Sequence, residues 1–244
     1  MTPDLAPTVS VVVPVRDDAQ ALDVCLSLLA RQTVAPLEVV VVDNASTDAS
    51  AAVAYRWGAM VVDEPSVGIP AAAAAGYDAA KGAVIARLDA DSRPGPRWVQ
   101  TVVERMSADP GLDALTGTGS FYDAPRGLRT AAAVVYLGAY YVLGHLALGH
   151  TALWGSCMAM RSSAWRAVRR DVVRDDSEVH DDLDLAFRLG PRRRIRLDRS
   201  WRVGVSARSL RGSRQRRRRL DRAWRTLRLN WQVLPPWERW LQHR

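Results

Sequence analysis

The chain has 244 residues, 48% of them hydrophobic and 25% charged. That balance excludes global disorder and fits one large α/β domain better than two independent ones. A formal net charge of +8 makes anionic partners the ones to expect: nucleic acid, anionic lipid or phosphorylated small molecules. The cations are arginines apart from Lys81, and the two cysteines, Cys25 and Cys157, sit among apolar neighbours with no metal-ligand spacing. Two buried, reduced thiols are the expectation for them. Residues 1–4 show no basic n-region and no cleavage site, so the expectation is no signal peptide and a reducing, cytoplasmic compartment.

The first half alternates between two kinds of segment. Residues 9–14 (VSVVVP) form a short β-branched run, the habit of a strand buried on both faces of a parallel sheet. Residues 18–32 place Leu22, Cys25, Leu26 and Leu29 at helical spacing, with Asp17 or Asp18 as the cap. A second strand follows over 37–42, a helix capped by Ser46 over 46–57, and a third strand over 59–62. Pro70 opens an alanine-rich helix that ends near Lys81-Gly82, and 83–88 (AVIARL) is a fourth strand. This order predicts a mostly parallel sheet with right-handed crossovers and helices on both faces. Ligands of such sheets bind beyond the carboxyl ends of the strands. Acids stand there each time: Asp17-Asp18, Asp43, Asp63-Glu64, and Asp89 with Asp91. An acidic edge in a basic protein suggests a bound cation.

The second half is less regular. A helix over 96–106 and a strand over 112–116 precede residues 131–148, which are almost wholly apolar. That length approaches a membrane span; because globular patterning resumes directly after it, a buried or surface-lying helix is the preferred reading. Further expectations are a strand over 156–160, a helix over 163–169, a helix over 181–189 closed by Gly190, and edge strands over 194–197 and 202–205. From residue 208 the chain is intensely basic. The organisation read from this is one domain over 1–207, with halves 1–118 and 119–207, followed by a basic amphipathic helical extension over 208–244.

Asp89-Ala90-Asp91 follows a hydrophobic strand. In extended chain, residues two apart point the same way, aiming two carboxylates at one spot. Mg²⁺ or Mn²⁺ is commonly held by one or two carboxylates plus substrate phosphates, and a metal there would neutralise a diphosphate leaving group. At this point the order of motifs resembles the family 2 glycosyltransferases with their GT-A fold. The residues that carry the resemblance are 9–14, 40–48, Val67-Gly68, Gly76, 79–82 and 88–91, in order and spacing across roughly the first hundred positions. The resemblance implies that Pro14, Val15 and Asp18 line the nucleotide pocket and that Asp43 bonds the base. It also implies that Asp89 contacts the ribose or a metal-bound water and that Asp91 binds the metal directly. One departure stands out: the family's Ala-Arg-Asn triplet is replaced by the all-alanine stretch 71–75, which leaves donor identity open.

A second centre is His180-Asp181-Asp182-Leu183. It resembles the family's Glu-Asp motif, with Asp181 at the glutamate position and Asp182 as the catalytic base that takes the acceptor's hydroxyl proton in an inverting transfer. In a first helical turn the dipole stabilises a charged carboxylate. Between the centres, residues 153–161 resemble the acceptor-side segment. Gly155 would let substrate approach, while Trp154 either stacks on a sugar or belongs to the core. Residues 215–220 faintly resemble the Gln-x-x-Arg-Trp motif of processive members, with Arg219 where the tryptophan should be. Polymer synthesis is therefore not supported, though arginines such as Arg219 would clamp the donor diphosphate. Leu220, Trp224, Leu227 and Trp231 share one stripe with arginines beside them. Two readings stand: peripheral contact with an anionic membrane at its inner face, or a helix docked on its own domain.

The sequence-level conclusion is an inverting, metal-dependent transfer from a UDP-, GDP- or dTDP-sugar to an acceptor hydroxyl, with a lipid-linked or cell-envelope glycan among the acceptors. Nucleic acid is not an expected partner, because the sheet edge is acidic and no recognition motif appears. A nucleotidyltransferase would need a glycine-rich loop after the first strand, where this chain has Val15-Arg16-Asp17-Asp18. An inactive relative of the family, or a basic nucleic-acid- or membrane-binding protein, remains the alternative.

Overall fold

The computed structural model describes residues 6–125, 127, 129–210 and 212–242. Strand β1 (Val9–Val15) is buried at every position, as the β-branched run predicts. Helix α1 (Ala19–Leu29) turns Leu22, Cys25, Leu26 and Leu29 inward. Then come β2 (Glu38–Asp43), α2 (Ser50–Arg56), β3 (Met60–Asp63), α3 (Ile69–Ala79) and β4 (Val84–Arg87). Strand β1 lies between β2 and β4, β3 flanks β2, and all four are parallel. Helix α2 begins four residues later than the sequence suggests, since Ser46 and Asp48 are spent on the neighbouring loop. Ser46 Oγ accepts from the Asp17 amide (3.1 Å), and the Asp48 carboxylate accepts from the amides of Ala19 and Ser50 (both 2.9 Å). Helix α3 sits tight on the sheet: a Cβ on Gly76 would come within 2.3 Å of Val12 Cγ1.

The chain continues through β5 (Arg93–Pro94), α4 (Trp98–Ala108), β6 (Ala114–Phe121), α5 (Arg129–Leu148), β7 (Met158–Arg161), α6 (Ser162–Val168), α7 (Asp181–Leu189) and β8 (Ile195–Val205). Strand β7 runs antiparallel to both β4 and β6, β8 is parallel to β6, and the order is β3-β2-β1-β4-β7-β6-β8-β5. The mostly parallel α/β sheet is therefore as expected. The two edge strands expected over 194–197 and 202–205 are instead one eleven-residue strand, which holds its pairing through a register shift opposite Thr116 and Thr118. Two-residue β5 carries no sequence signal.

Alternate residues of β1 feed separate cores, as a period of two requires. Val11, Val13 and Val15 join α1, α4 and the stacked pair Trp98–Trp201 on one face. Val12 joins α3, α6 and α7 with Tyr77 and Trp165 on the other. The alanines that replace the family triplet, Ala71 to Ala74, are buried there.

After a 3-10 turn (Ala207–Leu210) come α8 (Ser213–Trp231) and α9 (Pro236–Gln242). Both helices are docked rather than trailing. Asn230 donates to Asp184 (2.8 Å), the Trp231 indole donates to the Ala147 carbonyl (3.1 Å), and the buried Arg239 donates to the Leu148 carbonyl (2.7 Å). Helix α5 lies along the domain: its buried ridge is Ala133, Leu137, Gly144 and Leu148, and Tyr141 bonds the Gly117 carbonyl.

Candidate active site

The strand-edge acids are placed as the sequence implied, but most are occupied locally. Pro14 and Val15 end β1, buried against β2. Asp17 accepts from the Thr47 amide (2.6 Å) and hydroxyl (3.0 Å), which holds its carboxyl below the ordinary carboxylate range. Asp43 accepts from the Ser46 amide (3.1 Å). The buried Asn44 donates to the carbonyls of Glu64 and Ser66 and accepts from the Gly68 amide, pinning the loop after β3. Asp17 and Ala45 have φ of 49° and 55°; left-handed backbone at non-glycine positions is held by its surroundings and gathers at functional loops. The convergence of four acids on one cation does not occur. Among the described residues no cluster of three or more His, Cys, Asp or Glu is arranged to hold a metal alone.

What converges is Asp18, Asp89 and Asp91. Asp89, Ala90 and Asp91 form a turn closed by the Ser92 amide on the Asp89 carbonyl (2.9 Å), not the extended segment expected. The two carboxylates nevertheless lie close enough for Asp89 to help raise the Asp91 pKa. Burial is the larger cause, and together they push it up to about 6 against the pull of Arg208. Arg208, in the 3-10 turn, reaches Asp91 (3.1 Å) and pairs with Asp18. A cation thus bridges the expected metal ligand and the expected nucleotide-pocket acid. The donor set fits Mg²⁺ or Mn²⁺ only if substrate phosphate oxygens complete the shell.

Asp89 carries a further connection. Its two oxygens accept from Ser156 Oγ (2.5 Å) and from Arg87 (3.2 Å). Arg87 is buried at the end of β4, and its other terminal nitrogen pairs with Asp181. One guanidinium therefore ties the first acidic motif to the second. Burial pushes the Asp181 carboxyl up to about 6, while Arg87 draws it down. Asp182 follows in the first turn of α7, accepting from the Gly155 amide (2.9 Å) and the Leu183 amide (2.8 Å). Gly155 has no room for a side chain, since a Cβ would stand 2.8 Å from the Arg87 guanidinium. The motifs lie about ninety residues apart in sequence and meet at Arg87.

Two expectations change. Trp154 is core: it is 7% exposed, and its ring covers Gly119, where a Cβ would meet it at 2.7 Å. It presents no face to a sugar. Arg219 stands with Tyr136 and His180, on the Asp182 side rather than among Asp18, Asp89 and Asp91. Arg87, Ser156 and Arg208 had no place in the sequence reading. A lone arginine inside the apolar run 83–88 was a signal for the first, because a buried guanidinium needs a carboxylate. The other two gave none.

Residues 10–175 match the model of "Glycosyl transferase family 2". The chain belongs to that family. The glycosyltransferase AglE of Haloferax volcanii is 31% identical over 123 residues, 47% of this chain and 40% of AglE. An uncharacterized glycosyltransferase of Mycobacterium tuberculosis is 37% identical over 109 residues, 45% of this chain and 47% of that protein. The match spans less than half of either relative. Two solved structures share the fold. The mannosyltransferase PcManGT of Pyrobaculum calidifontis, in complex with GDP-Man and Mn²⁺, superposes over 99% of this chain and 70% of its own, with TM-score 0.66 and 22% identity. The glucosyl-3-phosphoglycerate synthase of Mycobacterium tuberculosis, with UDP, covers 92% of this chain and 80% of its own, with TM-score 0.65 and 20% identity. At those identities the likeness concerns the GT-A fold alone.

Proposed function

We propose that this family 2 chain is an inverting glycosyltransferase that moves a sugar from a UDP-, GDP- or dTDP-sugar to an acceptor hydroxyl. The observation that carries the reading is the Arg87 link, which holds the donor-side acid Asp89 and the acceptor-side pair Asp181-Asp182 in one network. Support also comes from the complexes of fold relatives with GDP-Man and Mn²⁺ and with UDP.

In this reading Pro14, Val15, Asp18 and Asp43 bind the nucleotide, and Asp91 with Asp89 holds Mg²⁺ or Mn²⁺. When bound, the metal supplies positive charge for the leaving diphosphate. For Asp91 to hold that cation, Arg208 would have to release it. Asp182, held by the Gly155 and Leu183 amides at the start of α7, takes the acceptor proton. The hydroxyl oxygen bonds the anomeric carbon, and the bond to the diphosphate oxygen breaks with its electron pair leaving on the diphosphate. Arg87 keeps Asp181 and Asp89 in register. A lipid-linked or cell-envelope glycan is the acceptor class we favour, because Tyr136 of α5 and Arg219 of α8 stand on the Asp182 side. Two buried free thiols suit a cytoplasmic compartment.

Titration calorimetry with UDP, GDP and dTDP, with and without Mn²⁺, tests the donor half. Wild type should bind one nucleotide more tightly with metal, by about tenfold or more, and Asp91→Asn should lose that enhancement. Metal-independent binding of equal strength in both proteins would refute Asp91 as the ligand.

A further inference from the structure

We infer that α5, α8 and α9 together form a face that docks on an anionic lipid bilayer. The inference does not depend on the proposed reaction. Helix α5 carries no Asp, Glu, Lys or Arg after Arg129 through Leu148. Only a narrow ridge of it is buried. On the far side Val135 is 73% exposed, Val142 60% and Leu146 56%, along a 20-residue helix of roughly 30 Å. Its length and hydropathy would allow it to cross a bilayer. Its ridge is instead packed on the domain and Tyr141 is bonded to Gly117, which leaves it lying flat with one apolar side outward.

Helix α8 continues that side. Globular helices turn apolar residues inward; α8 does so only at Leu227 and Trp231, which pack on the core. The rest of its domain-facing row is polar. Thr226 and Asn230 are buried, the Thr226 hydroxyl accepts from the His180 amide (2.9 Å), and Arg222 donates to the Val179 carbonyl (3.0 Å). Leu220 and Trp224 point out, 71% and 61% exposed. Trp224 meets Trp231 edge to face at 6.0 Å, and Trp231 is bonded to α5 at Ala147. Helix α9 closes the other flank. The Trp240 indole donates to the Leu146 carbonyl (3.2 Å) and packs on His145, with Trp237 and Leu241 exposed beside it. The exposed apolar residues of α8 and α9 are thus joined to α5 through Trp231 on Ala147 and Trp240 on Leu146, and tryptophans favour the boundary between lipid headgroups and acyl chains.

Charge selects the occupant. Helix α8 has eight arginines and one aspartate. Arg217 and Arg228 stand one turn from Leu220 and Trp224 (i+3 and i+4), so they flank the apolar stripe. An apolar strip with an arginine border complements an anionic bilayer, with each basic residue near the surface adding to the attraction. A second copy of the chain would bring arginines against arginines.

Flotation of the full chain with vesicles tests this. At about 0.1 M salt, where charges are screened over about 10 Å, the protein should float with phosphatidylglycerol-containing vesicles and only weakly with phosphatidylcholine alone. Val142→Asp with Leu146→Asp, both on the exposed face, should lower the bound fraction at least tenfold at an unchanged melting temperature. Arg217→Gln with Arg228→Gln should remove most of the preference for anionic lipid. The inference is overturned if wild type stays in solution with both vesicles. It is also overturned if the Asp pair binds as well as wild type. A third overturning result is a concentration-dependent dimer in sedimentation that the Asp pair dissolves, since the face then belongs to a second copy. Nucleotide binding measured on the same variants should not change, which keeps this result separate from that of the proposed reaction.

Discussion

The donor edge of the sheet and the α5–α8–α9 flank use polar residues in opposite places. At the edge, acids at strand ends are held by nearby backbone amides and stay partly open to solvent, as Asp17 is through Thr47. On the flank, polar groups are the interior: Asp184, Thr226 and Asn230 are buried while Leu220 and Trp224 face out. Asp17 can wait for a ligand because water already solvates it, whereas the more buried Asp91 is met by Arg208. The flank leaves its apolar side for something other than water to cover. Polar position therefore marks ligand chemistry in one region and structural docking in the other.

The largest test of that contrast is Asp182→Asn. Asp182 is the one acid whose proposed work is to accept a proton, and Asn keeps its shape and one of its two acceptor oxygens without its basicity. Turnover should fall by about 10²–10⁴, while nucleotide affinity in calorimetry stays within about twofold. A rate within tenfold of wild type removes Asp182 from the base role.

The next test compares one loop-holding acid from each region. Asp184 is 1% exposed and accepts from the Val173 amide and Asn230 (both 2.8 Å). Asp184→Ala strands both donors in the interior and should cost about 2–4 kcal/mol in denaturant unfolding. Asp17→Asn leaves an acceptor for Thr47 in solvent and keeps a residue that tolerates φ of 49°; it should cost far less than Asp184→Ala in the same measurement. Equal losses would show that burial does not separate the two regions.

How much was legible in the sequence follows the same division. Strands β1 to β4 were readable because β-branched runs with acids after them are local signals. Gly190 closed α7 where expected, with φ of 73°. Asp89, Asp91 and Asp182 were readable as motifs, but their junction was not, because Arg87 joins residues far apart in the chain. For α8 the stripe itself was visible. Periodicity shows that a helix has two faces, not which one meets the protein; here Thr226 and Asn230 are buried and Leu227 and Trp231 pack beside them, while Leu220 and Trp224 face out. Trp154 failed similarly: a tryptophan beside Gly155 fits both a sugar platform and a core, and the ring of Trp154 over Gly119 decides for the core.

Arg208 lies where the two regions meet, and it carries the smallest predicted effect. It arrives from the C-terminal side of the chain yet pairs with Asp18 and Asp91 on the donor edge. A guanidinium there offsets some of the repulsion between Asp89 and Asp91, and in the proposed reading it would give way to Mn²⁺ with diphosphate. Removing it trades one cation for another, so the net change is small and its sign is informative. If Arg208 only blocks the site, Arg208→Ala should bind Mn²⁺-nucleotide about threefold to tenfold more tightly, and nucleotide alone no better. If it instead swings onto the diphosphate, as arginines do for phosphate oxygens, the same variant should bind Mn²⁺-nucleotide more weakly, and Arg208→Lys should recover part of the loss. We expect tighter binding, because the side chain is already committed to two carboxylates and gains little by exchanging them for a metal-neutralised diphosphate.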